Sequence, residues 1–244
     1  MAELGFHTLT QMTRSTTLVL LPGLDGTDIF FQPLLASLPE SVRPLVVNYP
    51  RFGGNEYAEL LAIVRRAVAE IPECYVLGWS FSGPLALMLA TAEPNKVRGV
   101  ILSASFVRPP RRLLLRLKFA LVGPVVWMWR AARRLPLWVL RPRTDPFRRA
   151  KSQTWTRVPA GVVAARLRAI LAVDAREPLR GCRQPVLYIA SSRDDIVPRR
   201  NVDEIMRVRP SVKVVTIAGR HLAMYTNPHS AAQTIAKFIA EANA

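Results

Sequence analysis

With 244 residues, half of them hydrophobic, the chain can bury a substantial core, which excludes a largely disordered protein. Its 34 lysines and arginines outnumber its 17 acidic residues. The excess is concentrated in residues 106–172, which hold 16 basic side chains and one acidic side chain, while the rest of the chain is close to neutral. Such an uneven field attracts anionic partners. An arginine-rich face that meets only solvent explains the same composition, and both interpretations stay open.

Two features of the sequence bear on the compartment. Cys74 and Cys182 lie far apart without the spacing of a metal site, which favours two reduced thiols. The N-terminus lacks the apolar segment of a secretory signal. We therefore expect a cytoplasmic protein, with peripheral binding at a membrane as a further option, and we expect no metal ion or cofactor.

Short apolar runs alternate with longer amphipathic segments along most of the chain. Six runs are rich in β-branched residues and apolar without strict alternation, which predicts strands covered on both faces. These strands are 17–21, 44–49, 75–78, 99–103, 185–190 and 212–218. The predicted helices are 56–70, 81–92, 200–208 and 230–241. The alternation predicts an α/β fold with a mostly parallel sheet and helices on both faces.

The strand pattern stops between residues 106 and 182, where basic and bulky apolar residues mix. We predict that 106–182 is an inserted helical lid, and that 1–105 and 183–244 form the core. The longest charge-free stretch, 119–129, has 11 residues and cannot cross a bilayer, which takes about 20. Packing on the core and lying on a bilayer surface both explain the tryptophans and leucines of the lid.

The sequence VLGWSFSGP, residues 76–84, places two serines between glycines directly after a predicted strand. Ser80 falls at the corner between strand and helix, a tight turn that needs small neighbours, here Gly78 and Ser82. The turn directs the Ser80 hydroxyl outward and brings the N–H of Phe81 beside it, where it can bind an oxyanion. We expect the Ser82 hydroxyl to bond the backbone instead. The pattern predicts Ser80 as a nucleophile.

A serine nucleophile needs a general base. His221 follows the last predicted strand, so it lies at the same carboxyl edge of the sheet as Ser80, where binding sites of parallel sheets gather. His7 precedes the first strand, and His229 stands at a helix start, where a helix-terminal role suffices. We therefore predict that His221 is the base.

The base in turn needs an acid to orient it. Asp194 and Asp195 both follow the strand at 185–190, and the spacing to His221 favours Asp194. Asp195 and then Asp174 remain as alternatives.

A second oxyanion donor is expected from the loop after the first strand, PGLDG at 22–26. Gly23 lets the backbone approach the reacting atom, and the N–H of Leu24 is the predicted donor. Asp25 and Gly26 indicate a turn, which we favour over a catalytic Asp25. Ser80, Asp194 and His221 thus follow one another in the chain order of a known triad arrangement.

The motifs PGLDG, GWSFSG, DDIVP and AGRH resemble those of the α/β-hydrolase superfamily over residues 17–105 and 183–242. Ser82 departs from the usual glycine of the nucleophile turn, and Pro22 stands where histidine often precedes the glycine. Within the superfamily, LGWS, VDAREPL and DDIVPR are similar to the carboxylesterases of biotin synthesis, which cleave a methyl ester from an acyl chain on acyl carrier protein. LPGLDGT is similar to hydrolase-fold proteins that move acyl groups between lipids.

The expected activity is hydrolysis of a carboxylic ester through an acyl-enzyme on Ser80. The alternatives are a thioesterase or acyltransferase with the same triad, and a binding protein without activity. The predicted substrate contacts are Gly23, Trp79, Leu117 and Trp127. No nucleic-acid-binding motif is present, so we expect no nucleic acid partner. An acyl carrier protein or an anionic membrane surface would face the lid arginines at 108, 111, 112, 130, 133, 134, 141, 143, 148 and 149.

Overall fold

A computed structural model describes residues 15–110, 150, 153–154 and 157–243 of the protein. Six parallel strands form one sheet in the order β2-β1-β3-β4-β5-β6. The strands are β1 (Thr16–Leu21), β2 (Val42–Val46), β3 (Cys74–Trp79), β4 (Val97–Ser103), β5 (Val186–Ser191) and β6 (Lys213–Ile217). Each lies within a few residues of a predicted strand, and the predicted parallel α/β sheet is confirmed.

Helices cover the two faces of this sheet. Their bounds are α1 (Gln32–Leu35), α2 (Tyr57–Ala67), α3 (Gly83–Ala92), α4 (Ala160–Ala172), α5 (Arg176–Gly181), α6 (Arg200–Val208), α7 (Ala223–Thr226) and α8 (Pro228–Asn243). Short 3-10 turns occupy Ile29–Phe31 and Ser80–Ser82. The predictions found the four long core helices, whereas α1 and α7 are single turns too short for a helical period to show in the sequence.

Successive residues of each strand point to opposite faces, which divides the core into two apolar clusters. Val19 and Val76 pack on one face against α2, α3, α5 and α6. Leu18 and Leu77 pack on the other face against α1 and α8. Because both faces are buried, the strands read as nearly continuous apolar runs in the sequence.

The segment predicted as a lid begins and ends within the core. Phe106 and Val107 are buried in the same cluster as α3 and β4. At the other end, Leu179 of α5 and Cys182 lie in that cluster too. The described residues of 106–182 therefore include core-packed ends, and only the intervening part is available for a lid. Most of that part, 111–149, lies outside the described residues, and the lid stays a prediction.

The strand order places a crevice at the carboxyl edge of the sheet. After β1 the chain moves to β2 on one side, and it then returns to form β3 on the other side of β1. The loops that leave β1 and β3 therefore run in opposite directions, which opens a cleft where ligands bind in sheets of this type. Among the described residues, no helix has the length and apolar character needed to cross a membrane.

The C-terminal helix α8 docks on the sheet over a glycine of β4. Gly99 lies beside Tyr75 of β3 in the register of the sheet. The Tyr75 ring lies across the glycine and meets the Phe238 ring edge-on, with their centroids 6.1 Å apart. The Tyr75 hydroxyl donates a hydrogen bond of 2.8 Å to Asn243 Oδ1. The missing side chain at Gly99 makes room for the aromatic contact that holds α8.

We expect Gly99→Ala to lower the free energy of unfolding by about 1–3 kcal/mol. An added Cβ would lie 2.7 Å from Tyr75 Cε1 and 3.2 Å from Phe238 Cε1, so the two rings must shift. Urea denaturation measures the loss. Gly161→Ala in α4 is the control, since its Cβ would meet no described atom within 4 Å. Similar losses in both variants would contradict the packing explanation.

Candidate active site

Ser80 stands on a strained turn between β3 and α3. Its φ of +51° lies in the left-handed region, which non-glycine residues rarely adopt. Two neighbours allow this conformation. A Cβ at Gly78 would collide with the Ser82 carbonyl oxygen, and the Ser105 hydroxyl donates a hydrogen bond of 2.6 Å to the Ser80 carbonyl. The turn predicted from the sequence is therefore present, and contacts from β3 and from Ser105, which follows β4, hold it.

The Ser82 side chain ties this turn to the loop that follows β1. Its buried hydroxyl donates to the Pro22 carbonyl, as the sequence predicted for a backbone-bonding serine. Its oxygen lies 2.5 Å from the Tyr49 hydroxyl. Because the single Ser82 proton is already used, Tyr49 is the donor in that pair. Burial raises the pKa of Tyr49, which keeps its hydroxyl protonated for this role.

His221 and Asp194 reach Ser80 from two other loops of the same edge. The Ser80 Oγ lies 2.9 Å from His221 Nε2, although the two residues are 141 positions apart. On the other side of the ring, His221 Nδ1 lies 2.9 Å from Asp194 Oδ2 and 3.1 Å from Oδ1. The three side chains predicted from separate strand ends are thus connected by hydrogen bonds in one line.

The surroundings of Asp194 fix the direction of these hydrogen bonds. Burial works against the charged carboxylate, but the bonds from His221 and from the N–H groups of Val197 and Ile196 outweigh it and lower the pKa of Asp194. An ionised Asp194 only accepts, so His221 Nδ1 carries the proton in this pair. In the neutral ring Nε2 is then the acceptor, and the Ser80 hydroxyl donates to it. This is the tautomer that a general base requires.

The alternative residues weighed from the sequence lie in other environments. The Asp195 side chain is 61% exposed and pairs with Arg220. Asp174 pairs with Arg176 at an exposed position. His229 is the second residue of the helix α8. His7, the remaining histidine, lies outside the described residues.

The loop after β1 presents a free backbone donor near the nucleophile turn. The N–H of Gly26, at φ +68°, bonds the Gly23 carbonyl at 3.0 Å, which closes a tight turn. Within the part of the chain that the structure describes, the Leu24 N–H has no acceptor. Phe81 lies in the 3-10 turn at Ser80–Ser82, which leads into α3. The first N–H groups of a helix have no acceptor within the helix. Both predicted oxyanion donors are thus backbone groups held in turns.

Asp25 belongs to this loop and accepts its hydrogen bonds from Thr27, two residues further along. Its carboxylate accepts bonds from the N–H and the hydroxyl of Thr27, the latter at 2.5 Å. Burial raises the pKa of Asp25 despite these bonds. The predicted reading of Asp25 and Gly26 as a turn agrees with this geometry.

The predicted substrate contacts divide between described and undescribed residues. Gly23 lies in the loop at 22–26 after β1, which we call the oxyanion loop after its predicted role. The Trp79 side chain is buried and packs against Phe30 and Phe31, with ring centroids 6.1 and 5.4 Å away. Its Nε1 is the one buried side-chain nitrogen or oxygen among the described residues that has no hydrogen-bond partner. Leu117 and Trp127 lie outside the described residues.

Sequence reasoning missed a buried cation behind the oxyanion loop. Arg166 of α4 is fully buried, and its guanidinium bonds the Leu24 and Pro50 carbonyls and the Asn55 side chain. A signal was present, since Arg166 stands at helical spacing between the apolar residues Val162 and Ile170, on the face that packs inward. An arginine at a core position is unusual, and it needs partners of this kind.

Comparisons with known proteins identify the family of the chain. The sequence model of the alpha/beta hydrolase family matches residues 18–234. The chain belongs to the alpha/beta hydrolase family.

Within residues 15–110 and 157–243, no three His, Cys, Asp or Glu side chains gather into a group that could hold a metal ion.

Curated relatives of this hydrolase-family chain include a biotin biosynthesis protein and a methyl ester esterase. The bifunctional protein BioHC of Cellvibrio japonicus is 27% identical over 241 residues, which cover 93% of this chain and 48% of that protein. A pimeloyl-[acyl-carrier protein] methyl ester esterase of Neisseria meningitidis is 33% identical over 93 residues, 36% of each chain. The chain thus spans about half of the first relative and aligns with about a third of the second.

A solved structure shows the same fold at low identity. The esterase EaEST from Exiguobacterium antarcticum is 14% identical and superposes with a TM-score of 0.78 over 92% of this chain and 91% of the esterase. At this level of identity the likeness concerns the fold, which agrees with the family assignment and with the fold predicted from the sequence.

We expect Ser82→Ala to lower the free energy of unfolding by about 1–3 kcal/mol, since it leaves the Pro22 carbonyl and the Tyr49 hydroxyl without a partner. In the double variant with Tyr49→Phe, the unpaired hydroxyl is gone. The double variant should therefore lose less free energy of unfolding than the sum of the two single variants, by roughly 0.5–3 kcal/mol. Urea denaturation of the four proteins gives this coupling. Strictly additive losses would show that the two hydroxyls do not interact.

Proposed function

We propose that the protein is a serine hydrolase that cleaves carboxylic esters through an acyl-enzyme on Ser80. The observation that carries this proposal is the line of hydrogen bonds from Ser80 through His221 to Asp194 at the carboxyl edge of the sheet. An unassisted serine hydroxyl is a weak nucleophile, and a neutral imidazole within hydrogen-bond reach supplies the missing base. The family assignment is consistent with this chemistry.

In the proposed first step, Ser80 Oγ attacks the carbonyl carbon of the ester while its proton passes to His221 Nε2. The carbonyl oxygen takes up the electron pair, and the N–H groups of Leu24 and Phe81 bind the resulting oxyanion. Asp194 holds the imidazolium that forms. His221 then protonates the leaving alcohol as the carbon–oxygen bond breaks, which leaves the acyl group on Ser80.

In the second half-reaction, water takes the place of the alcohol. His221 accepts a proton from the water as its oxygen attacks the acyl carbon, and the same N–H pair binds the second oxyanion. Collapse of this intermediate returns the proton to Ser80 Oγ and releases the carboxylic acid. With a thiol ester, or with an alcohol in place of water, the same residues would support the thioesterase and acyltransferase alternatives.

For the substrate, we propose an acyl ester carried on an acidic partner such as acyl carrier protein. Two observations support it: the name of the Neisseria relative specifies a methyl ester on acyl carrier protein, and the basic residues of this chain are concentrated in 106–172. Arginine binds phosphates and carboxylates through two parallel hydrogen bonds. We further propose that this segment forms a lid over the cleft.

Replacing Asp194 tests its proposed catalytic role, and the adjacent Asp195 provides the comparison. We expect Asp194→Asn to lower kcat by about 10⁴-fold, because the amide no longer fixes the tautomer of His221. Asp195→Asn is the matched control, since Asp195 is exposed and pairs with Arg220, and we expect it to leave kcat nearly unchanged. Rates on p-nitrophenyl esters measure both, and Ser80→Ala sets the background. Equal losses in the two aspartate variants would contradict the assignment of Asp194.

The dependence of the rate on salt concentration tests the proposed acidic partner. We expect kcat/KM on an acyl carrier protein methyl ester to fall as sodium chloride is raised to about 0.5 M, because salt screens charges that meet at an exposed surface. A p-nitrophenyl ester of the same acyl chain is the control, since it lacks the carrier protein. A rate on the carrier-protein ester that does not change with salt would contradict electrostatic docking.

A further inference from the structure

The three consecutive carbonyl groups of the oxyanion loop are each held by a different part of the fold. The Pro22 carbonyl accepts from Ser82, and the Gly23 carbonyl accepts from the Gly26 N–H at 3.0 Å. The Leu24 carbonyl accepts from Arg166 Nη1 at 2.9 Å. Because each peptide unit is planar, fixing a carbonyl also fixes the N–H of the next residue. The peptide units on both sides of Leu24 are thereby fixed in orientation.

Arg166 connects this loop to the loop that follows β2. Its Nη2 donates to the Pro50 carbonyl at 3.0 Å and to Asn55 Oδ1 at 2.8 Å, and its Nε donates to the same Oδ1 at 3.0 Å. Asn55 is itself buried with φ of +55°, and its N–H donates to Glu59 at 2.7 Å. The planar guanidinium therefore joins a rigid acceptor set to the Leu24 carbonyl, a geometry that lysine cannot reproduce.

Gly26 gives the guanidinium room to reach the loop. A Cβ on Gly26 would lie 2.7 Å from Arg166 Cζ, closer than packed atoms come. The positive φ of Gly26 independently favours glycine at this position. The turn of the oxyanion loop and the approach of Arg166 thus depend on the same residue.

The charge of Arg166 is kept in this buried place. Burial lowers the pKa of Arg166 to about 10, which leaves the guanidinium charged at neutral pH. Its Cζ lies 5.5 Å from the centre of the Tyr49 ring, where a cation is attracted to the ring face. A buried cation is costly for a fold, and an apolar residue would serve packing alone at least as well. Packing alone therefore does not account for an arginine at this position.

We propose that Arg166 is a positioning residue for the oxyanion hole: by holding the Leu24 carbonyl, it fixes the peptide unit between Leu24 and Asp25 at the centre of the Gly23–Gly26 turn, and the anchored turn keeps the Leu24 N–H directed at the site where the oxyanion forms next to Ser80. The inference rests on the proposed esterase function. It assigns a role in the reaction to the helix α4, which stands in the segment between β4 and β5 rather than in either loop of the nucleophile or the acid.

Two variants and a control test this role. Arg166→Met keeps the length of the side chain and removes all donors, while Arg166→Lys keeps the charge and part of the donor capacity. Arg180→Met on α5 is the control, since its exposed side chain pairs with Glu177 at the surface. The rates are measured on p-nitrophenyl butyrate and divided by the concentration of reactive Ser80, titrated with a p-nitrophenyl phosphonate, so that misfolded protein does not enter kcat.

We expect Arg166→Met to lower kcat per titrated site by roughly 10- to 100-fold, somewhat less than the loss of a whole oxyanion donor. KM should change little, since the N–H bonds the oxyanion more strongly than the ester. The inhibition constant of a phenylboronic acid, which forms a tetrahedral adduct on the serine, should rise in parallel with the loss of kcat. Arg166→Lys should recover part of the rate, and Arg180→Met should stay within about twofold of the unchanged protein.

A purely structural role gives a different result. If Arg166→Met melts at a lower temperature but keeps kcat per titrated site and boronate affinity within about twofold of the parent, the positioning role is wrong while the esterase proposal stands. If the unchanged protein hydrolyses no ester, the esterase proposal fails and this inference fails with it. If Arg166→Met does not fold, Arg166→Lys is judged by the same criteria. Failure of both variants to fold would make Arg166 a folding residue and overturn the proposal.

Discussion

The left-handed backbone at Ser80 is the constraint on which the rest of the site depends. A non-glycine residue in this region costs on the order of 1–3 kcal/mol, so the surrounding structure must hold it. Gly78 yields the space, and the Ser105 hydroxyl binds the Ser80 carbonyl. This conformation points the hydroxyl out of the sheet edge, where His221 meets it. The hydrogen bonds among Ser80, His221 and Asp194 therefore depend on this conformation.

A buried polar layer supports the oxyanion loop from behind. Ser82 reaches the loop from the nucleophile turn, where Tyr49 donates to its hydroxyl, and Arg166 reaches the loop from α4. Buried polar groups are costly unless each finds a partner, and here the partners are loop carbonyls and Asn55. Ser82, a departure from the usual glycine of the family turn, therefore does more than fill space, because its hydroxyl joins the two loops.

The division of the chain into a core and a basic segment has a physical counterpart in the fold. Phe106, Val107 and the helix α5 pack into the main apolar cluster, so both ends of the segment between β4 and β5 are anchored. The helix α4 then brings Arg166 to the oxyanion loop. This segment therefore contacts the loop after β1 from inside the protein.

The sequence by itself determined the sheet and the loops that carry Ser80, Asp194 and His221. Buried parallel strands are marked by apolar runs, and in such a sheet their carboxyl ends share one edge, so residues that follow strands can be assigned to one site. Only the tertiary structure decided which aspartate meets the histidine, that α5 belongs to the core, and that Arg166 holds Leu24. These contacts join segments distant in sequence, where no local pattern specifies a partner, and geometry in three dimensions alone selects them.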